Sequence, residues 1–145
     1  MDLWRIARSP FAGLDGEGAR RFGGRWNSIG RPVVYLAEHP ALAVLEVLAH
    51  LDLPLELAPD DYLILKFKAA NEVAVLNAQT SPMSPDTKAI GDAWLASNQS
   101  ALLRVPSVLA PESWNYLLNP IHPAAQAIAE TARYPFGFDM RLLEA

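Results

Sequence analysis

Gly23-Gly24-Arg25-Trp26-Asn27-Ser28-Ile29-Gly30 is followed, after Arg31-Pro32, by Val33-Val34-Tyr35-Leu36. The first stretch has the composition of a loop and the second that of a strand, β-branched and aromatic. Flanking glycines let a backbone approach a ligand closely, and arginine offers a planar fork of donors that fits a phosphate or carboxylate. The pair therefore reads as an anion-binding loop feeding a strand. The plainer reading is a hairpin turn whose arginine is merely solvated.

Outward from this pair, residues 3–7 read as a strand and residues 13–24 as a glycine-rich turn region with room for a short helix. Residues 33–37 form the strand just named. Residues 40 to about 51 give the clearest helix, with Pro40 at its first turn, where helices tolerate it. Residues 62–67 and 73–76 read as two more strands, and residues 77–85 as a long exposed loop. A second helix is expected over residues 87 to about 98 despite Gly91, then short strands at 102–105 and 108–110 broken by Pro106-Ser107. Residues 123 to about 131 read as helical, and residues 136–142 alternate as an edge strand would. Short strands unevenly interleaved with helices favour an α+β fold over a doubly wound α/β sheet.

With 145 residues the chain falls in the usual range of one domain, so residues 1–145 are taken as a single compact unit. An apolar fraction of 51% and a charged fraction of 19% describe a packed globule. No apolar run reaches the roughly 18 to 20 residues a spanning helix needs, and the N-terminal residues carry no signal pattern. The expectation is a cytoplasmic protein with no membrane partner. Cysteine is absent, which excludes disulfide scaffolds, thiolate metal sites and cysteine nucleophiles. His39, His50 and His122 are scattered without metal-type spacing, so no metal is expected. A net charge of −4 lacks the basic balance from which nucleic-acid binders draw their non-specific affinity, and no direct nucleic-acid contact is expected.

The helix at residues 40–51 is apolar around almost its whole circumference, which predicts that it is mostly buried. Its polar exceptions, Glu46 and His50, stand four apart and share a side. That strip is either the helix's solvent face or the wall of a cleft, with Arg25 a candidate cation near the carboxylate. A second polar cluster follows. Ser107 comes after a rigid X-Pro joint; lacking a Gly-x-Ser-x-Gly elbow, it reads as an orienting hydroxyl or a turn serine, not a nucleophile. Asn115 and Asn119 are four apart, so a helical turn would align their amides, and a cap or turn role before Pro120 is the other option.

Taken together these residues resemble the RES-domain family, toxins of bacterial toxin–antitoxin pairs whose antitoxins are of the Xre helix-turn-helix type. The resemblance runs from Leu3-Trp4-Arg5-Ile6 through the Gly23–Gly30 loop, Val33-Val34-Tyr35-Leu36-Ala37, Ala43 to Glu46 with His50, and Gly91-Asp92 with Trp94-Leu95. It continues through Val105-Pro106-Ser107, Asn115-Tyr116-Leu117-Leu118-Asn119-Pro120 and His122-Pro123 to Phe138-Asp139 and Arg141-Leu142. It implies an α+β domain similar to ADP-ribosyltransferases, a short-stranded split sheet with flanking helices. It also implies attack on NAD, as substrate and not as cofactor. By the same resemblance Glu46, Arg25, Tyr35 and Ser107 form the catalytic set, with Asn27 and Asn119 joining Arg25 and Tyr35 in holding NAD. The implied acceptor of ADP-ribose is water, phosphate or a protein such as phosphoribosyl pyrophosphate synthetase. A ribonuclease toxin and a non-catalytic nucleotide-binding module are the competing functions.

That chemistry suits these residue types. Breaking the bond between nicotinamide and ribose passes through an oxocarbenium-like state, as at other glycosidic centres. Nicotinamide leaves neutral because its ring nitrogen already carries positive charge, so no general acid is needed and one carboxylate suffices.

Overall fold

The structure, a computed structural model, describes residues 1–51 and 53–143. Among the described residues it is an α+β fold of seven strands and three α-helices: β1 (Asp2–Arg8), α1 (Glu17–Phe22), β2 (Val34–Ala37), α2 (Pro40–Ala49), β3 (Tyr62–Ala69), β4 (Val75–Asn77), α3 (Thr87–Ser97), β5 (Leu102–Pro106), β6 (Trp114–Leu118) and β7 (Ile128–Pro135). The strands run in the order β4-β5-β6-β2-β1-β3-β7, antiparallel except at β4–β5.

The sheet is split. β1 pairs with β3 along its whole length, but with β2 at the single position Trp4↔Ala37. The expected short-stranded split sheet with flanking helices is thus what the chain forms. Strand alternation sorts the side chains between two layers. On one side Leu3, Val34, Leu36, Leu65, Phe67, Leu102, Tyr116 and Leu118 form a core that draws on both halves of the split. On the other, Leu103, Val105 and Leu117 pack with Trp94 and Leu95 of α3 and with Trp26, while Ile6 and Ala37 pack with Leu42 and Ala43 of α2.

α2 begins where expected. Pro40 occupies its first turn and the His39 ring nitrogen caps the Ala41 N–H at 3.1 Å. It is less buried than its apolar circumference suggests. Only Leu42 and Ala43 are fully buried, and Leu45 is 46% exposed, because the sheet covers just one side of the helix.

Four expectations fail in the last third of the chain. Residues 114–118 form β6, not a helical turn, and residues 128–135 form edge strand β7, preceded by a short 3-10 helix at Pro123–Ala127. Alanine-rich sequence favours a helix locally, but pairing to β3 prevails, and propensity is a weak prior against such pairing. With β7 holding the edge, residues 136–142 do not form a strand and end in a 3-10 helix at Met140–Leu143. The expected strand at 108–110 is likewise absent; those residues lie in the connection between β5 and β6. No helix of the described residues is long and apolar enough to cross a membrane.

Candidate active site

A cleft of about 500 Å³ opens at the split in the sheet, a size typical of small-molecule sites. Its floor comes from Trp4, Arg5 and Ile6 of β1 and from Val33 to Ala37, one wall from Ala43, Glu46, Val47 and His50, and the other from Gly23 to Trp26. Tyr62 and Asn115 line it as well. The Glu46–His50 strip of α2 is therefore a cleft wall, because α2 lies across the split and turns that strip inward.

Glu46 accepts two hydrogen bonds on one oxygen. Ser107 Oγ donates to Oε1 at 2.9 Å and Asn115 Nδ2 at 2.8 Å. Among the described residues neither bond goes to Oε2. The carboxylate is thus fixed by one oxygen, and the second is left for a ligand. Ser107 is 4% exposed and accepts the N–H groups of Leu109 and Ala110, at 3.1 and 3.3 Å. Turn serine and orienting serine are the same serine: the turn takes its lone pairs and directs its proton at Glu46.

Tyr35 stands at the foot of the opposite wall. Its hydroxyl donates to Asn27 Oδ1 at 2.6 Å and accepts the Trp26 N–H at 3.0 Å. Burial pushes the phenol up to about 12, the Trp26 bond opposing, so it stays protonated. With that proton committed to Asn27, Tyr35 has its ring to offer to the cleft. Gly24 has to be glycine here, since a Cβ would lie 2.6 Å from the Tyr35 hydroxyl oxygen and 2.9 Å from Asn27 Oδ1.

Arg25 is exposed on the rim of the same cleft as Glu46, and its guanidinium donates to the Pro82 carbonyl. The remaining two expected residues sit elsewhere. Asn27 is fully buried behind the loop, its amide nitrogen donating to the carbonyls of Ala19, Ser28 and Arg31. It shapes the loop and does not line the cleft. Asn119 lies just beyond the far end of β6, bonded to Asn98 at 3.0 Å and to the Ile121 N–H. In a strand four residues span about 13 Å, not one helical turn, so Asn115 and Asn119 part company.

Sequence reasoning gave no role to Arg5. This arginine of β1 lines the cleft and donates to the carbonyls of Phe11 and Gly13 at 3.0 and 2.8 Å; burial holds its guanidinium below its ordinary value, with Asp15 pulling the other way. Its signal was a charge inside an apolar strand, where an unpaired cation is costly. Trp4 and Tyr62 were also missed as lining residues; both read as ordinary strand aromatics.

The RES domain family model matches residues 2–139. The chain belongs to the RES-domain family. Among curated RES relatives, a protein named Toxin Res from Pseudomonas putida is 40% identical over 134 residues, covering 88% of this chain and 90% of that protein. Toxin Res from Photorhabdus laumondii is 37% identical over all of this chain and 99% of its own length. A Sphingobium protein named Prs ADP-ribosylating toxin is 35% identical, with 97% and 96% covered. Among solved structures, that of the M. tuberculosis MbcT-MbcA toxin-antitoxin complex matches with a TM-score of 0.72 over 94% of this chain and 84% of the other, at 20% identity. The fold of this RES domain is thus shared well beyond the reach of its sequence.

Proposed function

We propose that this chain is the toxin of a toxin–antitoxin pair and that it cleaves the bond between nicotinamide and ribose in NAD, passing ADP-ribose to water, phosphate or a protein. The observation that carries this reading is the single carboxylate, Glu46, anchored through one oxygen by Ser107 and Asn115 in a cleft it shares with Arg25. Oε2 accepts a ribose hydroxyl and stabilises the positive charge that builds on the sugar as the base departs. Arg25 exchanges the Pro82 carbonyl for the pyrophosphate, to which it offers paired donors. Arg5 adds a second cation to the floor. Tyr35 stacks its ring on the nicotinamide, and Asn27 acts through the loop it braces. Asn119 has no part in this site.

The toxin names of the relatives support the biological role, and the name Prs ADP-ribosylating toxin makes Prs the first protein acceptor to try. The antitoxin is proposed to be of the Xre helix-turn-helix type. Mass spectrometry of NAD incubated with the protein, with and without phosphate and with Prs, tests the chemistry in one pass. Nicotinamide is expected in step with NAD loss, and the mass of the ADP-ribose product names the acceptor. NAD left intact while added RNA is degraded overturns the reading.

A further inference from the structure

The loop that carries Arg25 is gripped from behind by one face of α3. Thr87, Lys88, Gly91 and Asp92 recur at helical spacing on one side of that helix, and none of them lines the cleft. Thr87 Oγ1 donates to the Arg25 carbonyl at 2.8 Å. The Lys88 ammonium donates to the carbonyls of Gly24 and Asn27, the latter at 3.3 Å. Asp92 accepts the Ser28 N–H at 2.9 Å and the Ser28 hydroxyl at 2.5 Å, with the Arg31 guanidinium 3.8 Å away. At Gly91 a Cβ would fall 1.7 Å from the Trp26 carbonyl oxygen, so helix and loop backbones are in direct contact. Every residue from Gly24 to Ser28 therefore meets α3.

We propose that α3 positions the Arg25 guanidinium, with Asp92 as the principal positioning residue, and that it thereby sets the affinity of the cleft for a pyrophosphate-bearing ligand it never touches. This rests on reading the cleft as an NAD site. The physical argument is one of order. An exposed arginine on an untethered loop loses both side-chain and backbone freedom when it closes on an anion, and that loss is subtracted from binding. A loop already fixed at each residue leaves only the guanidinium to settle. The segment leading into α3 meets the guanidinium through the Pro82 carbonyl, the one contact that is exchanged on binding. Asp92 is suited to the task at neutral pH: burial raises its carboxyl, but the two Ser28 bonds with Arg31 and Lys88 outweigh it and hold the group below its ordinary value.

The test is a double-mutant cycle read by calorimetry with ADP-ribose, on wild type, Asp92→Ala, Arg25→Ala and the double variant. Residues that act through a shared partner couple, whereas independent ones add. Asp92→Ala is expected to weaken ADP-ribose by about tenfold when Arg25 is present and by less than about twofold when it is already alanine. Amide exchange at residues 24–28 should quicken while that of α3 does not, and Asp92→Asn, which still offers an oxygen to Ser28, should recover most of the affinity. If Asp92→Ala fails to fold, Lys88→Met replaces it in the same cycle. Equal losses in both Arg25 backgrounds, or unchanged affinity in the single variant, overturn the proposal. A wild-type chain that binds ADP-ribose yet leaves NAD intact overturns the cleavage reading and not this one; a chain that binds neither overturns both.

Discussion

Glu46→Gln isolates the charge of the carboxylate from its shape. A glutamine at this position still presents an oxygen to Ser107 and Asn115, so both anchoring bonds survive and the buried turn at Ser107 is undisturbed. What disappears is the negative charge on the oxygen facing the cleft. A unit charge about 4 Å from a developing cation is worth about 4 kcal/mol at an effective dielectric near 20. Each 1.36 kcal/mol is a factor of about ten in rate, so kcat for nicotinamide release should fall by about a thousandfold, or about a hundredfold if water in the open cleft screens the charge. Thermal stability should stay close to wild type, and ADP-ribose should weaken by less than about tenfold, since only its one ribose hydrogen bond at the cleft-facing atom is altered while both anchoring bonds remain. The assay is nicotinamide release at saturating NAD, with calorimetry and a melting curve on the same preparation. Undiminished turnover in the glutamine variant would refute the electrostatic role, and a loss confined to KM would move Glu46 from chemistry to binding.

Three other outcomes follow from the same geometry. Ser107→Ala removes one of two donors to Glu46, and a bond to a charged acceptor is worth about 1.5–3 kcal/mol, so kcat should drop about tenfold or more with KM unchanged; a raised KM at full kcat would contradict an orienting role. Gly24→Ala drives a methyl into the Tyr35 hydroxyl and Asn27, and such overpacking costs about 1–3 kcal/mol, so both melting temperature and ADP-ribose affinity should fall, and a variant unchanged in both would reject the contact. For Tyr35 the folded pKa of about 12 lies above the ordinary 10.0, so the unfolded chain loses its proton first as pH rises. The stability this contributes is complete below about pH 10 and is lost between about pH 10 and 12, by at most about 3 kcal/mol. Urea unfolding of wild type and Tyr35→Phe at pH 9 and pH 11 reads the difference; identical losses in both proteins would show that Tyr35 is not the group responsible.

The front half of the fold was legible because its signals are local. Pro40 opens α2, glycines bracket the Arg25 loop, and a β-branched run marks β2, none of which needs a distant partner to be recognised. β6 and β7 were not legible for the opposite reason. Asn115-Tyr116-Leu117-Leu118 carries no alternation of its own, and becomes a strand because β2 and β5 pair with it on either side. β7 even breaks its own period, since its register with β3 shifts between Lys66 and Phe67, which leaves Thr131 unpaired and lets Glu130 and Arg133 meet on one face.

The candidate site divides along the same line. Arg25 and Glu46 could be singled out from residue type and the company they keep, and Tyr35 only through the family resemblance, but whether Glu46 faced water or a cleft could not be decided from α2. The deciding groups are Ser107 and Asn115, 61 and 69 residues away along the chain, and β1, which meets β2 at one residue pair and so leaves the opening that α2 covers. Neither local reading of Asn115 and Asn119, as a helical turn or as cap and turn residues, exposes the amide that reaches Glu46, which a strand at β6 delivers. Where a strand lies in the sheet decides which side chains at its two ends can share a site, and in this chain that placement is fixed by pairing across the sheet, not by the five residues of β6.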